Sequence, residues 1–376
     1  MDARGRLSSH LSASVYAIDG IIEGVIMTYT VGIIGCGRKA ATIDDERRWM
    51  TNYDEFPCCH AAAYTALPNT RIVAACDPSP EKLADFQRRW GQCTTYTDYR
   101  ALLEKEKPDI VSVVTHAPLH AQITMDAAHA GVKGILCEKA MATSLEECDA
   151  MIAACAANRV KLLVNHPRRF HPTFTRAKET IEQGAIGQLR SIYAAGYNKL
   201  IHNGSHAFDI LRMFCGEAVW VQGELVEVDD PHDKDGIGAV KMANGVTAFV
   251  DFTSQQPFGF RLMGTEGVLF IDQFRDGFTL INFEPEEVDP SKPWFRYTAK
   301  RAAERYFPNR RPFDPPMQAA VKELIAAIEE NREPQSSGVD GRAALEMGLA
   351  MHASHQQGGA RVALPMQDRA LRVLSR

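Results

Sequence analysis

Residues 29–40 read YTVGIIGCGRKA, an apolar run that breaks on Gly35 and Gly37 and closes on a small residue, Ala40. A continuous apolar run followed by G-x-G-x-x-A is the pattern of a buried strand feeding a helix N-terminus. Gly35 permits the tight turn, Gly37 leaves the backbone open to a pyrophosphate, and Ala40 lets the helix pack closely on the strand. The N–H groups of Gly35, Gly37, Arg38 and Ala40, with the positive end of the helix dipole, would hold the phosphates. Glycine-rich turns after strands are common, so a second signal is needed. Residues 71–76 (RIVAAC) form the next apolar run, and Asp77 stands at its end. A carboxylate there accepts hydrogen bonds from ribose hydroxyls and repels a 2′-phosphate, which favours NAD over NADP. The spacing is stretched: Asp77 lies 37 positions (77 less 40) beyond Ala40, where roughly 20 is usual. The excess is residues 44–57, a polar stretch that interrupts the first helix before 60–67 resumes a helical pattern.

Working outward, apolar runs recur at 109–115 (DIVSVVT), 133–137 (KGILC) and 161–165 (KLLVN), alternating with helical stretches at 80–90, 99–105, 121–130 and 145–158. Ser79 and Ser144 precede two of these helices as N-caps, the second with Glu147 three residues on as a capping box. Apolar strands separated by helices predict a doubly wound parallel sheet. After residue 165 the pattern changes. Strands are expected at 189–195, 220–228, 238–242, 246–253, 261–263 and 268–271, with Asn244-Gly245 and the GTEG of 264–267 as turns. Residues 290–316, rich in aromatic, basic and proline residues, read as a long loop; 317–331 and 341–355 read as amphipathic helices.

The expectation is an α/β chain. An N-terminal Rossmann dinucleotide-binding domain (29–160) precedes an α/β domain (161–376) with an open, mostly antiparallel sheet for substrate and oligomerisation. Residues 1–28 are set aside as an extension, disordered or lying ahead of a start at Met27. Their apolar patch is interrupted by Glu23 and carries no A-x-A cleavage site.

Composition excludes several classes. The chain has 376 residues, 45% hydrophobic and 24% charged, enough for a core without staples. A formal net charge of −5 with no basic block argues against nucleic acid as partner. Nine cysteines without a C-x-x-C pair suit a reducing cytoplasm better than a disulfide framework or a zinc knuckle. No apolar run reaches the roughly 20 residues that span a bilayer, so no membrane partner is expected.

Two side chains carry the chemical signal. The run 133–137 ends on Glu138-Lys139-Ala140, and ligands of open α/β sheets bind outside the carboxyl ends of strands. Further on, His202-Asn203-Gly204-Ser205-His206 runs into a helical stretch, with Asn203 or Ser205 as cap and His206 in the first turn. The dipole there disfavours imidazolium, leaving a neutral imidazole able to act as a base. Asp209, three residues on, shares its face and could orient the ring or bind a neighbour. A metal pair of His202 and His206 is set aside for want of an H-E-x-x-H glutamate or a third ligand, so no metal is expected.

Taken in order, GIIGCGRKA (32–40), VAACDPSPEKL (73–83), PDIVSVVTHAPLH (108–120), CEKAM (137–141), NHPRRFHP (165–172), GSHAFDILRMFCG (204–216), MGTEGVLFID (263–272) and the segment 336–365 resemble the glucose–fructose oxidoreductase/inositol dehydrogenase (Gfo/Idh/MocA) family. The resemblance implies an NAD(P)-binding Rossmann domain, a second domain whose open sheet supports dimers or tetramers, and hydride exchange with a hydroxyl or ketone carbon of sugars, inositols or related polyols. It places Lys139 at the reacting oxygen and the nicotinamide, and His206 as general acid/base. Thr115 and His120 would line the cofactor cleft beside Glu138, with Arg169 near cofactor or substrate. Two positions depart from the family pattern. Ala140 replaces a proline, so a different backbone turn is expected, because alanine does not favour a cis bond. His202 replaces an aspartate, and is the candidate to share the proton relay. The stretch before His202 is also short, trimming the usual substrate loop.

The expected chemistry is reversible hydride transfer: His206 takes the hydroxyl proton, Lys139 stabilises the alkoxide, and Asn203 and Asp209 orient substrate or ring. Two alternatives stand beside it, a glycosidase using NAD for transient oxidation and a non-catalytic NAD(H)-binding regulator.

Overall fold

The computed structural model describes residues 28–48, 56–197, 199–226, 232–254, 256–272, 275–285, 291, 299–310 and 312–375. The expectations for 1–27, and residues 49–55 of the 44–57 excursion, lie outside them.

Six strands build the first sheet: β1 (Tyr29–Ile34), β2 (Thr70–Cys76), β3 (Thr94–Tyr96), β4 (Ile110–Val113), β5 (Gly134–Cys137) and β6 (Lys161–Val164). All are parallel, in the order β3-β2-β1-β4-β5-β6. Their apolar character has a direct cause, since neighbouring residues along a strand are buried on opposite faces. Ile34, Val111, Ile135 and Leu162 join one core cluster, while Ile33, Ile110, Leu136 and Leu163 join the other. Ser79 and Ser144 accept the N–H of Lys82 and Glu147 as N-caps. Glu147, however, turns to the backbone N–H and hydroxyl of Thr143, so the capping box is only half formed.

Two boundaries shift from expectation. β6 is the edge strand of the first sheet, paired with β5, so the division at 160/161 cuts through a sheet. The helix Pro316–Glu329, far along the chain, covers that sheet as well: Met317, Val321, Leu324 and Ile325 share a core with Tyr64, Leu83 and Phe86. Burial, not chain order, decides where this amphipathic helix docks.

The second sheet comprises β7 (Leu189–Ala195), β8 (Ala218–Val226), β9 (Asp235–Met242), β10 (Thr247–Asp251), β11 (Gly259–Gly264), β12 (Gly267–Asp272), β13 (Gly277–Pro285), β14 (Ala299–Pro308) and β15 (Val362–Ala363). The order is β14-β13-β12-β11-β7-β10-β9-β8-β15, antiparallel except where β10 meets β7. The hairpins at Asn244-Gly245 and 264–267 form as read. β13 and β14 were not foreseen; part of the segment read as a loop, 290–316, is the long strand β14. Its charged sequence AKRAAERYFP suits an edge strand, and 302–306 are exposed.

One face of this sheet packs on the helices Gly204–Cys215 and Gly338–Gln356, as Gly223 lying against Met351 illustrates. The other face is open. The fold is thus a Rossmann-type sheet joined to a mixed, mainly antiparallel open sheet. No described helix is long and apolar enough to cross a membrane.

Candidate active site

The carboxyl ends of β1, β4, β5 and β6 lie side by side, and the segments that follow them frame one region. After β1, Gly35 has φ +93°, and a Cβ there would sit 2.6 Å from the Val114 carbonyl oxygen of the neighbouring strand end. Only glycine meets both conditions cheaply. At Gly37 a Cβ would meet nothing within 4 Å, so the space above the loop is open. Ala40 is fully buried, giving the close helix contact. These features fit a dinucleotide whose phosphates approach the backbone.

Other predicted cofactor residues sit differently. The Arg38 side chain is spread on the surface against Glu46, 2.6 Å away, leaving only its backbone at the loop. Asp77 is buried and accepts the N–H of Cys36 and of Ser79, both at 3.0 Å. It therefore braces the glycine loop, with lone pairs remaining for a ribose. Thr115 stands at the end of β4, and its carbonyl faces His120 Nε2 at 3.0 Å. His120 does not line the cleft. It is buried, with Nδ1 2.9 Å from the Ala140 carbonyl oxygen, and braces the turn from behind. The Lys139–Ala140 peptide is cis, where the alanine had led us to expect otherwise.

Glu138 belongs to a buried polar chain that the sequence did not announce. Tyr64 OH lies 2.9 Å from Ser112 Oγ, Ser112 Oγ 3.1 Å from His60 Nδ1, and His60 Nε2 3.0 Å from Glu138 Oε1. Asn165 Nδ2 donates to the same oxygen at 2.6 Å, and Lys39 Nζ stands 3.9 Å away. Burial pushes the Glu138 carboxyl up, but Lys39, His60 and Asn165 outweigh it and hold the group well below the usual carboxylate range. Burial likewise keeps His60 neutral. One proton arrangement satisfies the chain: Tyr64 donates to Ser112, Ser112 to Nδ1, and Nε2–H to the ionised Glu138. The other oxygen of Glu138 accepts the Lys139 backbone N–H, which ties the network to the lysine's own peptide.

Lys139 reaches across to the second half of the chain. Its ammonium donates to the His202 carbonyl oxygen. Burial lowers it from 10.5 to about 8; Glu138 and Asp233 support the charge while Arg168 and Lys39 oppose it. His202 lies in the wide turn Lys199–Asn203, and what it brings to the lysine is its backbone oxygen. Asp233 holds that turn, accepting the N–H of Ile201 and of His202.

Neither expected cap is formed. Asn203 occupies the N-cap with no side-chain cap bond and donates to the Tyr197 carbonyl, while Ser205 Oγ donates to the His202 carbonyl.

His206 is buried, and its Nδ1 has no hydrogen-bond partner. Burial lowers its basicity far below the ordinary value, helped by Arg168, Lys139, His166 and Lys39. It is a neutral imidazole at pH 7. Its ring meets that of His166 edge-on at 5.8 Å between centroids.

Asp209 does not orient it. Both Asp209 oxygens accept from Arg169 Nε, at 2.8 and 2.9 Å. Arg169 also reaches Asp340 at 3.1 Å, so it ties the helix Gly204–Cys215 to the helix Gly338–Gln356. The arginine whose charge opposes protonation of both Lys139 and His206 is its neighbour Arg168, a position the sequence reading passed over. In the doublet Arg168-Arg169 nothing local says which one does so. Among the described residues no three His, Cys, Asp or Glu side chains gather as a metal site.

Residues 29–166 match a family described as an oxidoreductase family with an NAD-binding Rossmann fold. The chain is 27% identical over 338 residues to a D-apiose dehydrogenase of Paraburkholderia graminis, covering 80% of this chain and 84% of that one. It is 23% identical to a myo-inositol 2-dehydrogenase of Thermotoga maritima, over 87% and 96% of the two chains. A levoglucosan dehydrogenase solved with NADH and levoglucosan has the same fold, with a TM-score of 0.73 at 21% identity, covering 90% of this chain and all of that one.

Proposed function

We infer from the match of residues 29–166 and the dehydrogenase relatives that the chain is a Gfo/Idh/MocA oxidoreductase with an NAD-binding Rossmann domain, and propose that it exchanges a hydride between NAD and a secondary hydroxyl or ketone carbon of a sugar, inositol or related polyol. The observation that carries the proposal is the meeting of Lys139 and the His202–His206 segment beside the open glycine loop. Gly35, Gly37 and the N–H groups through Ala40 would hold the pyrophosphate. Asp77 would take the adenosine ribose, which favours NAD over NADP. When bound, the nicotinamide supplies the hydride acceptor or donor.

The protein's part is orientation and proton handling. His206, neutral and buried, takes the hydroxyl proton. Lys139 has three N–H donors and spends one on the His202 carbonyl, which leaves others for the developing alkoxide oxygen. Glu138 and Asp233 keep the ammonium charged at pH 7 against its burial. The nine cysteines are unbonded, in keeping with a reducing, cytoplasmic setting.

The test is a Lys139→Met variant assayed at the NADH absorbance band over a panel of polyols, aldoses and sugar acids. Turnover should fall by about 10²–10³-fold while NADH still binds. Turnover equal to wild type removes Lys139 from the reaction.

A further inference from the structure

Consecutive N–H groups of the wide turn Lys199–Asn203 are all taken up by residues 233–235. Lys199 donates to Asp235 Oδ1 and Leu200 to the Lys234 carbonyl, both at 2.8 Å. Ile201 and His202 donate to the Asp233 carboxylate, at 2.9 and 2.6 Å. These are the donors that the start of a helix leaves without partners of its own, and a carboxylate suits the positive end of its dipole. Lys199 needs outside support, because its φ of +67° lies in the left-handed region that side chains disfavour.

Asp233 is itself buried and held from two directions. His352, on the helix Gly338–Gln356, brings Nε2 to 3.5 Å from Oδ1. The Asp233 N–H donates to the Leu374 carbonyl at 3.1 Å, and His232 and Leu374 pair as a parallel bridge. The preceding residue, Val373, donates its N–H to the Thr143 carbonyl at 3.0 Å. The stretch leading to it lies along the start of the helix Leu145–Ala157, where Arg369 accepts the Glu146 N–H and Arg372 pairs with Glu147. Thr143 is four residues beyond Lys139. The contacts therefore close a ring. It runs from the Lys139 ammonium to the His202 carbonyl, from the His202 N–H to Asp233, through Leu374 and Val373 to Thr143, and back along the chain to Lys139. Both ends of the bond between Lys139 and the turn are thus fixed by the same few residues.

On the oxidoreductase reading, we infer that Asp233, seated by residues 373–374, is a positioning residue for Lys139: its carboxylate fixes the turn whose His202 carbonyl receives the ammonium. The charged groups bearing on that ammonium are Glu138, Arg168, Lys39 and Asp233, and the neutral His206 lies within its field. Of the two acids, only Asp233 comes from the half of the chain that carries the turn.

Two measurements test this. Competitive acetylation of Lys139 by acetic anhydride from about pH 6 to 10, read by peptide mass spectrometry, follows its titration without a substrate. Wild type should titrate near 8. Asp233→Asn keeps the size and removes the charge, so the midpoint should fall. The second measurement is kcat on the polyol the wild type oxidises best. The alkaline limb of its pH profile should move down with the labelling midpoint in Asp233→Asn. At pH 7, kcat should drop about 10²-fold in Asp233→Ala with NADH affinity unchanged. Val373→Pro, which removes the N–H to Thr143, should lower kcat in the same way, and Val373→Ala, which keeps it, should restore most of it. A role confined to stability would lower the melting temperature and leave the midpoint and the limb in place. Should Asp233→Ala or Val373→Pro fail to fold, Asp233→Asn decides alone. An unmoved Lys139 midpoint in Asp233→Asn, or wild-type kcat in folded Asp233→Ala or Val373→Pro, overturns the inference. A wild type that oxidises no polyol counts against the oxidoreductase reading, while a shifted labelling midpoint leaves the hold of Asp233 on Lys139 standing.

Discussion

Lys139 and His206 are both buried bases with lowered affinity for protons, and their pH behaviour follows from the signs. His206 stays neutral down to well below 6.5, while Lys139 keeps its proton up to about pH 8. Polyol oxidation should therefore have a plateau between those limits and decline above pH 8 as the ammonium is lost. The same shift has a stability consequence. In the unfolded chain the ammonium holds its proton to about 10.5. Below pH 8 both states are protonated and the folded state bears the whole cost of the buried charge. Between 8 and 10.5 the folded chain has shed the proton and the cost fades. After allowing for the lost bond to His202, Lys139→Met should be more stable than wild type by about 1–2 kcal/mol at pH 7. That margin should narrow from pH 8 to 10.5. Chemical denaturation at pH 7 and pH 10 measures it, and a variant less stable than wild type at pH 7 contradicts the argument.

The glycine loop separates two duties that one motif seems to merge. Gly35 is required by the backbone, with φ +93° and a carbonyl oxygen in the way of any Cβ; Gly37 faces open space. Gly35→Ala should thus cost about 1–3 kcal/mol of stability. Gly37→Val should leave the melting temperature nearly unchanged and abolish NADH binding, as followed by fluorescence titration. A strongly destabilised Gly37→Val would mean the loop is closed and not a cradle. The turn Lys199–Asn203 makes the complementary point. Its sequence, KLIHN, carries no turn signal, and it is held by Asp233, about 30 positions further along. The expectation that His202 shares the proton relay came from its replacing a family aspartate, whereas what meets Lys139 is its carbonyl oxygen.

At the scale of the molecule, the open face of the second sheet carries exposed large side chains. Register aligns a row across it: Ala239, Phe249, Tyr193, Arg261, Phe270, Thr279 and Tyr306. Arg261 stands over both Tyr193 and Phe270, and Phe249 and Tyr306 are nearly half exposed. We propose that copies of the chain associate through this face. Light scattering should show an oligomer for wild type and a monomer of unchanged circular dichroism for Phe249→Glu; a monomeric wild type ends the proposal. The sequence by itself determined every strand of the first sheet but β3, the loop after β1, the lysine at the end of β5 and the histidine opening a helix. Each is a local pattern of apolar period, glycine placement or strand-end position. Only the tertiary structure decided that the charge of Arg168 bears on Lys139 and His206, and that Asp209 serves Arg169. It alone brought His60, Ser112 and Asn165 to Glu138, and Asp233 to the turn carrying His202. Those are contacts between residues dozens of positions apart, chosen by burial and charge pairing, which leave no periodic mark along the chain.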